Sequence, residues 1–117
     1  MQRVLAGIAQ NNFVVVGRAG MDFFPDPPGT KTEEADTFKA GLGGSSANIA
    51  AGVVKLGGQA ALVTSVSDDS VGRYCVKQLQ NYGVDCAYVN SVGGEFRNSL
   101  AVYESRVEEH QSVIYRN

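Results

Sequence analysis

A glycine-rich stretch over residues 40–58 constrains the fold of this chain more than any other feature. It reads Ala-Gly-Leu-Gly-Gly-Ser-Ser-Ala-Asn-Ile-Ala-Ala-Gly-Val-Val-Lys-Leu-Gly-Gly and holds six of the fourteen glycines in 117 residues. Ser45 or Ser46 can cap the start of a helix here, and Gly57-Gly58 is a typical helix end. The helix has one stripe of larger apolar residues at helical spacing, namely Ile49, Val53 and Leu56. Its small residues keep it thin, so we expect it to lie close against a sheet: Ala47, Ala50, Ala51 and Gly52.

Apolar runs on both sides of this helix predict strands. Residues 13–17 indicate a buried strand that leads into a loop, and residues 60–66 indicate a strand covered on both faces. A second helix follows, with a cap among Asp68, Asp69 and Ser70, an end at Gly83, and a core stripe at Val71, Cys75, Leu79 and Tyr82. Residues 84–90 predict a third core strand. Strands that alternate with helices in this way indicate an α/β fold with a parallel sheet.

The remaining segments are irregular or β-rich. Residues 18–29 carry Pro25, Pro27 and Pro28, a pattern that argues against a helix and against a central strand. Residues 37–39 predict a short edge strand. Residues 98–104 and 111–116 alternate apolar and polar side chains, which predicts a hairpin with a charged connection.

Composition excludes several classes of protein. The formal net charge is -2, so the basic excess of a nucleic-acid-binding protein is absent. The longest apolar runs are a few residues long, far short of the roughly 20 needed to cross a bilayer. Cys75 and Cys86 lack the spacing of a zinc site, and we expect both to remain reduced in a cytoplasmic protein.

The glycine-rich turn suits hydroxyl-rich ligands better than nucleotides. The chain has no GxxxxGK[ST] loop and no GxGxxG loop after its first strand, which argues against a P-loop protein and a dinucleotide-dependent oxidoreductase. Gly43 and Gly44 place bare backbone N–H groups at a helix N-terminus, where oxygen-rich or anionic ligands are favoured. Asn48 offers a donor and an acceptor in the first turn. Asp22 follows the first strand at the edge where open α/β sheets bind ligands, and its carboxylate can accept two hydroxyl hydrogen bonds.

Three motifs in this order, VVVGRAGMD, GLGGSSANIAAGVVKLGG and VTSVSDDSVG, resemble the N-terminal part of the ribokinase or PfkB family of carbohydrate kinases. The resemblance covers residues 13–117 and leaves residues 1–12 as a tail. It implies the N-terminal portion of a ribokinase-like parallel-sheet α/β fold with a small β-lid. Ser46 and Ser67 depart from the commonest family pattern, in which glycine is frequent, and they weaken any assignment to ribose.

The resemblance also implies a site. Asp22, Gly43, Gly44 and Asn48 would hold sugar hydroxyls, and lid segments at about 23–40 and 97–117 would close over the substrate and could form a homodimer contact. Residues 97–104 and 113–116 look most like the branch that phosphorylates keto-deoxy sugar acids. Arg116 would meet the acidic end of such a small-molecule substrate, and Arg97 is assigned to the same site.

The family places its Gly-Ala-Gly-Asp motif, the catalytic Asp and the ATP site in a C-terminal half, and that motif does not occur in these residues. We therefore expect no catalytic residue, no bound ATP or Mg²⁺, and no activity from this chain by itself. The alternative is a non-catalytic sugar-binding or dimerisation module derived from such a kinase. Each candidate residue also has a simpler interpretation without a ligand. Gly43-Gly44 can be an ordinary turn, Asp22 a residue of a surface turn, Asn48 a residue with a local contact only, and Arg116 a solvated side chain.

Overall fold

The computed structural model describes residues 13–116; the predicted tail at residues 1–12 and residue 117 lie outside them. The described chain contains strands β1 to β7, helices α1 and α2, and one 3-10 turn at Thr32–Glu34. In chain order the elements are β1 (Phe13–Val16), β2 (Gly20–Asp26), β3 (Thr37–Gly43), α1 (Ser45–Lys55), β4 (Ala60–Ser67), α2 (Ser70–Tyr82), β5 (Val89–Val92), β6 (Ser99–Tyr103) and β7 (Ser112–Tyr115). No helix of this described part is long and apolar enough to cross a membrane.

The first sheet has the parallel order β1-β4-β5, and α1 and α2 both pack on β4. The predicted α/β arrangement is therefore confirmed. The strand predicted at residues 13–17 forms, but it is not buried: the side chain of Val16 is 74% exposed and that of Phe13 is 53% exposed. β1 lies at the edge of the sheet, so only Val15 packs against the core.

β5 begins at Val89, later than predicted; before it, the chain contacts β4 through an isolated bridge between Asp85 and Ala61 and a hydrogen bond from the N–H of Thr64 to the carbonyl oxygen of Tyr88 at 3.4 Å. The prediction of a core strand is wrong, because three of the four residues of β5 are exposed.

Helix α1 turns its alanines toward the sheet. Ala47 and Ala50 are fully buried, whereas Ile49 is 56% exposed and Leu56 is 91% exposed. The small side chains allow the helix to approach the sheet closely, and of the larger stripe only Val53 packs against the core. The predicted serine cap is wrong: the N-cap is Gly44 with φ of 91°, a conformation that serine disfavours.

Helix α2 forms as predicted, except that Tyr82 at the end of the predicted stripe is 36% exposed and Val71 is only half-buried. The Asp69 carboxylate caps it by accepting hydrogen bonds from the N–H groups of Val71 and Gly72, each 3.0 Å long. Cys75 and Leu79 are fully buried in the core, and the helix ends at Gly83 with φ of 89°. The pattern of polar cap and apolar stripe was therefore sufficient here.

The second sheet has the order β3-β2-β6-β7 and overturns one prediction. β2 is a central strand in the segment where the prolines argued against one. Its pairing with β6 ends at Phe23, so Pro25 lies beyond that ladder and faces only Phe38 of β3. The missing N–H of Pro25 therefore interrupts no pairing to β6. The predicted edge strand and hairpin are both present, as β3 and as the antiparallel pair β6-β7.

A buried asparagine joins the two sheets. Nδ2 of Asn98 donates to the carbonyl oxygen of Ala19 at 2.8 Å, just before β2. Oδ1 of Asn98 accepts from the backbone N–H of Ser67 at 2.6 Å, at the end of β4. Because both bonds are buried, they fix the start of the second sheet against the first.

Candidate functional site

The register of the second sheet gathers one row of side chains on one face. Asp22 of β2 is the partner of Ala101 in β6, and Ala101 is the partner of Ile114 in β7. Partners in adjacent strands point to the same face, and side chains alternate between faces with a period of two. Tyr103 and Arg116 therefore share the face that carries Asp22.

This face and the N-terminus of α1 enclose a cavity of about 310 Å³. Four of the six residues assigned to substrate binding line it, namely Asp22, Gly44, Asn48 and Arg116. They come from β2, from the start of α1 and from the residue after β7. Tertiary packing thus brings together side chains that are up to 94 positions apart in the sequence, from Asp22 to Arg116.

Gly43 and Gly44 have different roles in building the cavity wall. A Cβ atom on Gly43 would overlap the carboxylate of Asp22, so this glycine allows the close approach of that side chain. Gly44 adopts a positive φ that turns the chain from β3 into α1. No side chain caps α1, and the N–H of Ala47 donates to the carbonyl oxygen of Arg18 at 3.2 Å. The positive end of the α1 dipole therefore lies at the cavity.

Asn48 is partly engaged within its own turn. Its Nδ2 donates to the carbonyl oxygen of Gly44 at 2.9 Å, as the simpler local reading proposed. An amide side chain has two donor hydrogens and a carbonyl acceptor, so this bond leaves the acceptor and one hydrogen for a ligand. The bond also fixes the side chain at the rim of the cavity.

The charges at the cavity are mixed. Partial burial raises the pKa of Asp22 above its ordinary value of 3.8, because desolvation disfavours the charged carboxylate. Arg18 and Arg116 also line the cavity. A carboxylate that accepts hydrogen bonds from hydroxyl groups, together with donors from a helix terminus and arginines, suits a polyol that carries an acidic group.

Arg97 is not brought into this cavity. It lies in the loop before β6, where its Nη1 donates to the carbonyl oxygens of Gly94 at 3.1 Å and Phe96 at 2.9 Å. It lines two adjoining cavities, of about 430 Å³ and 170 Å³, both of which Arg116 also lines. Arg97 lies two residues before β6 begins, and it does not line the cavity that Asp22 and Arg116 share.

Arg18 and Tyr103 are among the cavity residues that sequence reasoning missed. Arg18 follows the carboxyl end of β1, the position that made Asp22 a candidate, so the same rule could have found it. Tyr103 lies two residues after Ala101 in β6, so its side chain points to the same face of the sheet. Its ring stacks on that of Phe24, with the ring centroids 5.8 Å apart. The side chains of β6 point alternately to its two faces, and only the pairing of β6 with β2 shows which face is turned toward the cavity.

A family model described as pfkB family carbohydrate kinase matches residues 10–117. A 5-dehydro-2-deoxygluconokinase of Clostridium tetani is 39% identical over 101 residues, which cover 86% of this chain and 30% of that protein. The chain thus spans about three tenths of the length of this curated relative.

Solved structures of sugar kinases share the fold of this chain. The crystal structure of 2-dehydro-3-deoxygluconokinase from Thermotoga maritima matches with a TM-score of 0.76 and 25% identity, over 88% of this chain and 31% of that one. A sugar kinase from Pyrococcus horikoshii, solved in complex with ATP, matches with a TM-score of 0.78 and 20% identity, over 88% of this chain and 33% of that one. The predicted ribokinase-like fold is confirmed.

Proposed function

The chain belongs to the pfkB family of carbohydrate kinases, and on that premise we propose that the whole protein transfers the γ-phosphoryl group of ATP to a hydroxyl of a keto-deoxy sugar acid. The name of the Clostridium tetani relative favours 5-dehydro-2-deoxygluconate as that acid. In this proposal the described residues supply the sugar side of the site.

One observation carries the proposal: Asp22, the N-terminus of α1, Asn48 and Arg116 line a single cavity. The Asp22 carboxylate accepts hydrogen bonds from two substrate hydroxyls, while N–H groups at the start of α1 donate to hydroxyl oxygens. Arg116 pairs with the substrate carboxylate, because a planar guanidinium matches a carboxylate with two parallel hydrogen bonds. Gly43 lets Asp22 occupy its position.

The second sheet is proposed to act as the lid. It contains most of the two segments predicted for that role, at about 23–40 and 97–117, and Glu104 links them. Its Oε2 accepts from the N–H of Thr32 at 2.7 Å, and its Oε1 accepts from the N–H of Gln111 at 3.0 Å. These bonds tie the two lid segments to each other.

The face of this sheet opposite Asp22 is proposed to form a homodimer contact. This opposite face carries three exposed apolar side chains. They are Phe38, which is 40% exposed, Val113, which is 40% exposed, and Tyr115, which is 60% exposed. Apolar side chains grouped on one exposed face favour association. Light scattering should give a mass that falls toward the monomer in Tyr115→Glu.

ATP and Mg²⁺ are proposed to bind outside the residues described. Among residues 13–116 no group of three or more His, Cys, Asp or Glu side chains could hold a metal ion. The turn at Gly43-Gly44 faces the carboxylate of Asp22, which would repel phosphates. The proposal therefore assigns the ATP and Mg²⁺ sites and the catalytic base to other residues of the whole protein, which we expect to be cytoplasmic.

The test measures binding of 5-dehydro-2-deoxygluconate to the complete gene product by calorimetry, together with ADP release. Asp22→Asn keeps the size of the side chain but removes the charge, so we expect binding to weaken by about 10-fold or more. Asp68→Asn is the matched control, because Asp68 is exposed after β4, outside both lid segments and outside the cavity. Unchanged binding in Asp22→Asn would refute the site. Binding without ADP release would favour the alternative, a non-catalytic sugar-binding module.

A further inference from the structure

We propose that Arg18 is a specificity-determining residue which, together with Arg116, selects an acidic substrate over a neutral one of the same shape. The inference rests on the proposed function and extends it, since Arg18 has no role in that proposal. It concerns the end of the substrate opposite the hydroxyls held by Asp22.

Two cavities meet at Arg18. The sugar cavity of about 310 Å³ and a smaller one of about 170 Å³ share three wall residues, namely Arg18, Ser99 and Arg116. Asp22 lines only the larger cavity. A ligand with hydroxyls against Asp22 at one end therefore directs its other end toward the arginines.

The smaller cavity is strongly cationic. Arg18, Arg97 and Arg116 line it together with the hydroxyl residues Thr64, Ser65 and Ser99, and no described carboxylate does. Within residues 13–116 neither Arg18 nor Arg116 forms an ion pair. Arg97 differs, since it already donates to two backbone carbonyls. Arg18 and Arg116, which form no ion pair within the described residues, are also the two arginines that line both cavities.

The backbone of Arg18 is fixed at this junction. Its carbonyl oxygen accepts from the N–H of Ala47 at 3.2 Å, in the first turn of α1. The carbonyl oxygen of the next residue, Ala19, accepts from the buried Asn98 side chain at 2.8 Å. Because both peptide groups are anchored, the Arg18 side chain starts from a defined point at the mouth of the cavity.

Charge explains why a second arginine is needed. The Asp22 carboxylate repels an acidic substrate bound in the same cavity, and one guanidinium would only balance that repulsion. With both Arg18 and Arg116 the lining favours an anion. A hydrogen bond to a charged group contributes enough that losing Arg18 should weaken binding of the acid by about 10- to 100-fold.

The experiment compares two ligands of equal size on the complete gene product. These are 5-dehydro-2-deoxygluconate and its primary amide, which lacks the charge, with dissociation constants measured by calorimetry. We expect the native protein to prefer the acid by about 10-fold or more, Arg18→Met to lose most of that preference while binding the amide within about 2-fold of the native value, and Arg18→Lys to recover part of it. Arg73→Met, on the exposed surface of α2, is the charge-matched control.

A native protein without preference for the acid, or an Arg18→Met variant that keeps it, would overturn the inference. A variant that weakens the acid and the amide equally would do the same, because it indicates a structural role only. Asp22→Asn separates this outcome from failure of the proposed function. If Asp22→Asn weakens both ligands and Arg18→Met changes neither, the sugar site stands and only the role of Arg18 is wrong. If Asp22→Asn leaves both ligands unaffected, the proposed site itself fails.

Discussion

Gly43→Ala should weaken sugar binding while the protein remains folded. The backbone of Gly43 does not have the positive φ found at Gly44, so alanine can adopt its conformation. The added Cβ, however, would overlap the Asp22 carboxylate, with Cγ only 2.7 Å away. The carboxylate must rotate or β2 and β3 must separate, and either movement takes it away from the substrate hydroxyls.

The size of the effect follows from the hydrogen bonds that are lost. A hydrogen bond to a charged group contributes about 1.5–3 kcal/mol, and displacement of Asp22 removes at least one such bond to the substrate. We therefore expect affinity for 5-dehydro-2-deoxygluconate to fall about 10- to 150-fold in calorimetry.

Gly41→Ala is the matched control on the same strand. A Cβ on Gly41 would meet only a ring carbon of Phe24, at 3.4 Å, and would leave Asp22 in place. Its affinity should stay close to the native value. Equal losses in the two variants, or a Gly43→Ala protein that binds within about 3-fold of native, would refute the proposed role of this close approach.

Four further outcomes are expected. Asn98→Ala should lower the free energy of unfolding by about 2–4 kcal/mol in denaturant titration, because it leaves two buried backbone groups without partners; a loss below about 1 kcal/mol would contradict this. Gly72→Ala should destabilise the protein by about 1–3 kcal/mol, since its Cβ would overlap the backbone at the end of β4, whereas Gly52→Ala, with open space around it, should stabilise α1 by about 0.5–1 kcal/mol. Burial raises the pKa of the Cys75 thiol to about 11, so iodoacetamide should label Cys75 at pH 8 only after denaturant is added. Because the pKa of Asp22 is raised, the folded state binds a proton more readily than the unfolded state; between pH 3.8 and the raised pKa, stability should fall and sugar affinity should rise as the pH increases, and Asp22→Asn should flatten both profiles.

The sequence by itself determined the elements that depend on local signals. The Asp69 cap, the Cys75 and Leu79 stripe and the Gly83 end specified α2 from residues within one segment. The ordered motifs, from VVVGRAGMD to VTSVSDDSVG, were sufficient to identify the family, which the comparisons confirm. They also selected Asp22, Gly44 and Asn48, and the segment at residues 113–116 added Arg116; these four residues line one cavity.

The tertiary structure decided what depends on distant partners. The prolines argued correctly against a helix, but only the extent of the β6 ladder shows that Pro25 can follow a central strand. The alanines of α1 lie against the sheet as predicted, but only the packing shows that Val53 of the larger apolar stripe contacts the core while Ile49 and Leu56 remain exposed.

The same limit explains the two arginines. Arg97 and Arg18 look alike in sequence, each in a loop next to a strand. The tertiary structure places Arg18 at the cavity that Asp22 lines. Arg97 lines only the cavities beside it. A linear pattern names the chemical groups that a site can use, but the pairing of strands determines which of them meet, because residues far apart in sequence become neighbours only when the sheet forms.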